Sequence, residues 1–346
     1  MIGWIMAYFQ DLNKADMTKF MIIAGIVLVL FIIVLAWLNP HQILFHEEFF
    51  INKIKNNFLN KTEVAEVFNT KFSIIKKFKK KETIVRTGYL GSFTDINDLQ
   101  KKALNSYKTK VKNFTENEKI YLNKKVEILR KAIQKFNKKY NFNFPVMKQW
   151  NFIKLCDSID WGYPYTINKY IVLPSNFLDW EKRSLVSTLF HEQFHIYQRI
   201  FPKQFTQFYN SLGFEKIKEP TIPKNIENRL VTNPDAPYID YAYKIKANKY
   251  LVPFLMLNSL NSHISRGLIY NKQNGTLKLE SSNIIDLKKY NHYYIRFYKS
   301  KQPYHPHEIF ATITQKFVFN DLQFTKQDTD LWRHFFNTNL NLFKNL

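Results

Sequence analysis

The sequence contains a single cysteine, Cys156, among its 346 residues. One cysteine cannot form an intrachain disulfide, and it cannot supply the paired thiolates of the cysteine-rich zinc modules. Both classes of protein are therefore excluded. Because 45% of the residues are hydrophobic, the chain is not disordered and can bury the core of one large domain or of two small ones.

Acidic residues are scarce relative to basic ones. The chain has 51 lysines and arginines against 28 aspartates and glutamates, a formal charge of +23 and a pI near 9.7. This balance favours contact with anionic lipid, nucleic acid or an acidic protein surface. The lysines are spread along the whole chain, as an AT-rich genome would also produce, and no motif predicts specific binding of nucleic acid.

Charge is absent from residues 20–38, which read FMIIAGIVLVLFIIVLAWL. A helix of this length crosses the hydrocarbon core of a bilayer, and Pro40 ends it just after Trp37 at its far edge. A cleaved signal peptide is the alternative, but no small-x-small cleavage site follows Leu38. We therefore predict a single-pass membrane protein with one transmembrane helix and with membrane lipid as a partner.

The lysines around this run predict its orientation. Lys14 and Lys19 precede it, and the first lysine after it is Lys53. The positive-inside rule places the N-terminus in the cytosol and the large domain across the membrane. The predicted organisation is a juxtamembrane segment (1–19), the transmembrane helix (20–38), a linker or helical stalk (39–84) and one large domain (85–346).

The motif that predicts a chemistry is His191-Glu192-x-x-His195. Apolar residues recur around it at three- and four-residue steps, which predicts a buried helix from about residue 179 to 200. Residues i and i+4 share a helix face, so both imidazoles can reach one tetrahedral Zn²⁺, and Glu192 stands beside the fourth position, where water binds. Zinc lowers the pKa of this water and polarises a substrate carbonyl, and Glu192 takes the proton as general base.

A catalytic zinc needs a third protein ligand, and spacing tests the local choice. The metzincin pattern requires glycine at position 198 and histidine at position 201, where this chain has Gln198 and Phe201. The metzincins are therefore excluded. The third ligand must be a distal glutamate, aspartate or histidine.

The best distal candidate is Glu308, in the first turn of a predicted helix that Pro306 opens. Ala311 follows three residues later on the same face and is small enough to let the zinc helix approach. His305 and His307 are rival ligands, or donors that orient a ligand. We predict His191, His195 and Glu308 as the ligand set.

The histidine motif and the distal glutamate together resemble the pattern of a known class of enzymes. The motif at 191–195, followed far downstream by Glu308-x-x-Ala311, is similar to the gluzincin metallopeptidases. A longer series is similar to a largely uncharacterised group of zinc peptidases found in bacteria and large DNA viruses. It comprises Tyr165-Thr166, Ile171-Val172-Leu173-Pro174, the zinc motif, Thr232-Asn233-Pro234-Asp235-Ala236-Pro237 and His305-Pro306-x-Glu308-Ile309, within about residues 85 to 320.

This resemblance implies that His191, His195 and Glu308 bind zinc and that Glu192 is the catalytic base. One position departs from the gluzincin pattern. Gluzincins commonly carry an aspartate four residues after the ligand glutamate, where it orients a zinc-bound histidine, and this chain has Thr312 there. Either Thr312 or another carboxylate takes that role, or the site is weaker than its motif indicates.

The expected fold class is α+β, a zincin-like metallopeptidase domain behind the transmembrane helix. We expect a mixed sheet whose edge strand, within residues 165–173, lies beside the zinc helix and holds an extended peptide by strand addition. A helical hairpin forms a further layer beside the cleft. Its arms are residues 96–112 and a helix that starts at the capping box Thr115-x-x-Glu118.

The predicted function is a membrane-anchored zinc endopeptidase that cleaves a peptide or protein substrate. The donor to the oxyanion is left open among Tyr241, Tyr243, Tyr304, His305 and His307. The alternative is a non-catalytic membrane or virion structural protein that keeps the peptidase fold as a scaffold. Glu192 argues against the scaffold, because zinc binding requires the histidines and not this carboxylate. The sequence predicts no oligomeric state.

Overall fold

A computed structural model of the chain describes residues 56–344, apart from 72, 260–261, 298–299, 301 and 320–324. Every element named below belongs to one compact unit of the chain, which follows Ile54. In chain order these are β1 (Asn57–Phe58), α1 (Lys61–Lys71), α2 (Lys80–Thr87), α3 (Ile96–Thr109), β2 (Val111–Lys112), α4 (Glu116–Tyr140), β3 (Asn151–Leu155), β4 (Tyr165–Ile167), β5 (Tyr170–Pro174), α5 (Lys182–Ile200), α6 (Pro202–Ser211), β6 (Phe214–Lys216), α7 (Lys224–Glu227), β7 (Tyr241–Lys246), β8 (Lys249–Ser259), β9 (Ser262–Gln273), β10 (Thr276–Asp286), α8 (Asn291–Phe297), α9 (Pro306–Phe319), α10 (Lys326–Thr338) and α11 (Leu340–Phe343). The described part of the chain is thus α+β.

The first sheet is mixed and is built around β3. Strands β1 and β5 run parallel to β3, β2 pairs antiparallel with β3, and β4 pairs antiparallel with β5. All of β3 and residues 171–174 of β5 are buried, as is usual for parallel strands covered on both faces. Strand β4 forms an edge of this sheet and lies against α5, the helix that carries the zinc motif.

The second sheet is an antiparallel meander in the order β10-β9-β8-β7-β6. Tyr250, Val252 and Phe254 alternate along β8 and are buried on one face, where they pack with Tyr270 of β9. The two-residue turn between β9 and β10 is Asn274-Gly275, with φ of 48° and 77°. Asn-Gly adopts this left-handed conformation readily, and the resulting turn matches the twist of the strands. This sheet supplies one wall of the cavity described below.

Helix α5 holds its position through apolar contacts on several sides. It packs against α4, α9 and β4. The rings of Phe194 on α5 and Phe310 on α9 meet edge to face with centroids 5.3 Å apart, and those of Phe190 and Phe319 are 5.5 Å apart. Aromatic pairs in this geometry add to the free energy gained by burial. The contacts fix α9 beside the face of α5 that carries the histidines.

The two arms of the predicted helical hairpin belong to different layers. The capping box of α4 is confirmed: the Glu118 backbone N–H donates to Thr115 Oγ1 at 3.3 Å, and the Thr115 N–H donates to the Glu118 carboxylate at 2.6 Å. However, α3 packs against α1 and α2, and α4 packs against α5. It is therefore α4 that lies beside the zinc motif.

The predicted linker or stalk at residues 39–84 contributes to the folded unit from β1 onward. Strand β1 pairs with β3, and α1 packs against α3. In α2, the Glu82 carboxylate accepts a hydrogen bond of 2.6 Å from the Thr232 N–H. A two-residue strand carries no readable periodicity, so the sequence pattern could not show this pairing. Strand β1 and helix α1, which precede the predicted boundary at residue 85, thus pack with the described fold.

Two predictions need correction: the transmembrane helix in the expected fold and the single-pass membrane localisation. Within the part of the chain that the structure describes, no helix is both long and apolar enough to cross a membrane. Helices α4 and α5 have 25 and 19 residues, but α4 is rich in lysine and α5 carries Glu192 and Arg199. The apolar run at 20–38 lies outside the described residues. The structure therefore does not support a single-pass membrane protein, and we withdraw that prediction.

A buried ion pair ties the mixed sheet to α4 and gives a stability prediction. Lys154 of β3 and Glu118 are both buried, and Lys154 Nζ lies 2.8 and 2.6 Å from the two carboxylate oxygens. Lys154→Met leaves the Glu118 carboxylate buried without its cation, so we expect a loss of about 3–5 kcal/mol in the free energy of unfolding, measured by urea denaturation. Lys119→Met removes a pair with the exposed Glu116 and is expected to cost less than about 1 kcal/mol. Equal losses in the two variants would contradict this account.

Candidate metal centre

Helix α5 brings the two histidines of the motif together. His191 and His195 lie one turn apart on the same face, and their Nε2 atoms are 3.0 Å apart. The opposite side of the helix is apolar and fully buried, with Leu185 and Leu189 at 0% exposure. Burial of that side turns the imidazoles toward a cavity lined by His191.

Helix α9 adds Glu308 to the histidine pair. Pro306 begins the helix, and Glu308 lies buried in its first turn. One carboxylate oxygen, Oε2, is 3.3 Å from His191 Nε2, and the other, Oε1, is 3.4 Å from His195 Nε2. A tetrahedral zinc with bonds of about 2.0–2.1 Å has ligand atoms about 3.3–3.4 Å apart. Both distances to Glu308 match this spacing, and the 3.0 Å between the two Nε2 atoms is a few tenths of an ångström shorter.

The hydrogen bonds of Gln198 fix the tautomer of His195. The Gln198 amide nitrogen donates to the His307 carbonyl at 3.0 Å, so its oxygen faces His195 Nδ1, 2.9 Å away. An oxygen can only accept here, so Nδ1 carries the proton. Burial lowers the pKa of His195, although Asp235 and Glu308 act to raise it. The neutral ring therefore directs the lone pair of Nε2 into the cluster.

Gln198 also takes the orienting role that an aspartate has in gluzincins, where this chain has Thr312. The group that orients His195 is an amide three residues further along the same helix, neither a carboxylate nor Thr312. Thr312 is buried and lines the cavity. Spacing along α9 could not reveal Gln198, because the residue that takes this role lies on α5, the helix that carries the histidines.

Glu308 is held in its ionised form. Burial acts to raise the pKa of its carboxyl, but His195, His191 and a hydrogen bond from Asn233 together lower it to about 2. The Asn233 amide nitrogen lies 2.7 Å from Glu308 Oε1. Asn233 belongs to the proline-containing segment 232–237, but nothing in that segment's sequence predicts its hydrogen bond to Glu308.

Glu192 lies beside the cluster and lines the same cavity. Its Oε2 atom is buried and has no hydrogen-bond partner among the described residues. Burial raises the pKa of the Glu192 carboxyl well above its ordinary value, and the Asp235 and Glu308 carboxylates raise it further, whereas Arg199 lowers it. A carboxylate with a raised pKa is a better proton acceptor once it is ionised.

The histidines that flank Glu308 take no part in the cluster. His305 Nε2 is 3.2 Å from Asp240 Oδ1, and His307 Nδ1 is 3.2 Å from the Asp235 carbonyl. Burial lowers the pKa of His307 well below its ordinary value. Among the described residues, the groups that could hold a metal include neither of these histidines.

A second group of possible ligands shares His195. Oxygen atoms of Glu192 and Asp235 and a nitrogen of His195 lie within 4.8 Å of one another. Asp235 Oδ1 already accepts hydrogen bonds of 3.0 Å from the Thr166 N–H and 2.8 Å from Arg199 Nη2. Because Arg199 compensates its charge, Asp235 is the weaker ligand, and the chemistry favours the group with Glu308.

The edge strand β4 does not offer the free backbone that strand addition needs. The Thr166 N–H donates to Asp235, and its carbonyl accepts a bond of 3.1 Å from Arg199 Nη2. Backbone groups two residues apart point to the same side of a strand, so residue 164 faces the same side as Thr166. Residue 164 is a proline and has no N–H to donate. Residues 170–174 lie inside the sheet, between β3 and β4. The prediction that an extended peptide pairs with this strand is therefore wrong at Thr166.

The cavity at the cluster has a volume of about 290 Å³. Its walls combine apolar and polar side chains from both sheets, α5 and α9, among them Trp161, Val231, Leu255, His263 and Gln302. Of the described residues that line it, none is one of the five suggested oxyanion donors. The Tyr241 hydroxyl is 2.7 Å from Thr206 Oγ1, and Tyr304 bonds to Asn233. His263 on β9, which sequence reasoning missed, places an imidazole ring on the cavity wall.

The chain matches no protein-family model, no curated protein and no solved structure. The resemblance to the gluzincins therefore stays a prediction from the residues that carry it. The case for a metal centre depends on the geometry of this site.

Removal of the carboxylate tests the ligand set. Glu308→Ala leaves only two protein ligands, which is too few for tight binding, so we expect zinc affinity to fall by orders of magnitude in competition with a chelator of known affinity. His305→Ala and His307→Ala serve as controls and should retain the metal, because both rings bond to other groups and neither belongs to the ligand cluster. If either histidine variant lost zinc while Glu308→Ala retained it, the ligand set would be three histidines.

Proposed function

We propose that this protein is a zinc-dependent peptidase that hydrolyses an amide bond in a peptide or protein substrate. The observation that carries the proposal is the convergence of donor atoms from His191, His195 and Glu308, with the Glu192 carboxylate beside them. Two imidazoles and one carboxylate that leave a position open are a donor set of catalytic zinc sites.

The donor set suits zinc by its chemistry as well as by its spacing. Imidazole nitrogens distinguish the site from those of calcium and magnesium, which take oxygen ligands. The Gln198 bond to His195 gives this ring the orientation and tautomer that zinc ligation requires. When bound, zinc supplies a positive charge that polarises the substrate carbonyl and lowers the pKa of the attacking water.

Glu192 moves the proton in this proposal. Its Oε2 atom, which lacks a partner among the described residues, accepts the proton of the attacking water. The protonated carboxyl then gives this proton to the leaving amine nitrogen, so the carboxylate is regenerated and no proton is gained or lost by the enzyme. The raised pKa of Glu192 suits both steps, because it strengthens the base and lets the acid form persist.

The cavity walls hold the substrate through side chains. Trp161, Val231 and Leu255 provide apolar contacts, and His263 and Gln302 provide polar ones. Because the Thr166 backbone is already hydrogen-bonded to Asp235 and Arg199, main-chain pairing at that position contributes nothing to binding. Specificity is therefore expected to follow the substrate side chains near the scissile bond.

Replacement of the base tests the proposal. Glu192→Gln keeps the shape of the side chain but cannot accept the proton, so we expect hydrolysis of a susceptible peptide to fall by roughly 10²- to 10⁴-fold while zinc stays bound. The measurements are peptide turnover and metal content of the same sample. Glu116→Gln, an exposed change on α4, is the control and should leave both unchanged.

The two outcomes of this experiment separate the proposal from a scaffold role. Activity of Glu192→Gln within about tenfold of the unchanged chain would contradict the assignment of Glu192 as base. Stoichiometric zinc in the unchanged chain, without cleavage of any peptide in a diverse library, would instead favour a protein that keeps the site without its activity.

A further inference from the structure

The loop that reaches Glu308 is built by one asparagine. We name residues 232–235 the ligand loop. The Asp235 N–H donates to Asn233 Oδ1 at 2.9 Å, and the Ala236 N–H donates to the Asn233 carbonyl at 3.1 Å. Asparagine at the first position, followed by proline, is favoured in such turns, because its side-chain oxygen accepts from the backbone two residues later. The side-chain oxygen of Asn233 thus accepts a hydrogen bond within the turn and is committed to it.

Because that oxygen is committed, the Asn233 amide nitrogen faces the metal centre. It donates to Glu308 Oε1 at 2.7 Å and also to the Tyr304 hydroxyl. Both amide hydrogens and the amide oxygen therefore have partners, and the orientation of the amide is fixed by its hydrogen bonds. A charge-assisted bond of this length restrains the plane of the Glu308 carboxylate.

Buried ionic contacts hold the first end of the ligand loop. The Thr232 N–H donates to Glu82, and the Thr232 carbonyl accepts from Arg86 Nη2. Arg86 Nε lies 2.9 Å from Glu82 Oε1 and its Nη1 lies 2.7 Å from Asp160 Oδ1, and all three side chains are buried. Removing one member of such a network leaves an uncompensated charge, so this end of the loop resists displacement.

The second end of the ligand loop is tied to the zinc helix and to the sheet edge. Asp235 accepts from Arg199, which lies one turn after His195 on α5, and from the Thr166 N–H on β4. Asn233 is therefore held between two anchors, one of which is part of the helix that carries the histidines. The loop fixes the distance between that helix and Glu308.

We infer that Asn233 is a positioning residue of the metal centre, which holds the Glu308 carboxylate at the geometry that completes the ligand set. This inference rests on the proposed function, since it assigns Asn233 a role toward a metal bound by His191, His195 and Glu308. A partner that orients a ligand typically accounts for about 10- to 100-fold in metal affinity.

The experiment replaces Asn233 and reads the metal directly. Asn233→Ser keeps a short oxygen that can accept from the Asp235 N–H but cannot reach Glu308. We expect its zinc affinity, measured by chelator competition, to fall by about 10- to 100-fold. We also expect the visible absorption of the cobalt(II)-substituted protein to change, because that absorption reports the geometry of the ligands. Asn233→Thr carries the same expectation and replaces the serine variant if that variant does not fold.

Asn137→Ser is the matched control. Asn137 also holds a loop through both ends of its amide, with bonds of 3.0 Å to the Phe144 N–H and to the Phe144 carbonyl, but it does not contact the metal centre. Loss of the Asn137 amide should lower the free energy of unfolding and leave zinc affinity and the cobalt(II) spectrum unchanged. An equal loss of affinity in both variants, or none in Asn233→Ser and Asn233→Thr, would overturn the inference. If the unchanged chain bound no zinc, the proposed function itself would fail.

Discussion

The site depends on the packing of α9 against α5. The motif on α5 can place two imidazoles on one face, but a metal needs a third donor within a few tenths of an ångström of the right position. Edge-to-face contacts, such as that of Phe194 with Phe310, hold the first turn of α9 beside the histidines. Glu308 then lies 3.3 and 3.4 Å from the two Nε2 atoms. The apolar interface therefore provides the geometry for the polar site.

A second constraint acts through polar contacts. Three acidic side chains near the cluster, Glu192, Asp235 and Glu308, would repel one another without compensation. Arg199 neutralises Asp235, and Asn233 and the histidines stabilise ionised Glu308. The pKa of Glu192 is raised whereas that of Glu308 is lowered, so these two carboxylates differ in proton affinity. This difference suits one carboxylate to bind a metal and another to move a proton.

Local patterns in the sequence predicted the parts of the site that local geometry determines. The i, i+4 spacing of the histidines, the capping box at Thr115 and the helix opened by Pro306 each follow from contacts within one turn. The contacts of Asn233 with Glu308 and of Asp235 with Thr166 join residues 75 and 69 positions apart. No periodicity encodes such pairs. For the same reason the pattern of residues 165–173 predicted strands, but not that Asp235 and Arg199 cover the edge at Thr166.

The central claim is that His191, His195 and Glu308 bind one zinc ion. X-ray absorption at the zinc edge of the purified full chain tests this most directly, because it identifies the bound atoms without any substitution. The account predicts stoichiometric zinc with two imidazoles and one carboxylate, nitrogen and oxygen neighbours at about 2.0–2.1 Å, and no sulfur. Sulfur at about 2.3 Å, which would bring in Cys156, or a third imidazole in place of the carboxylate, would contradict it.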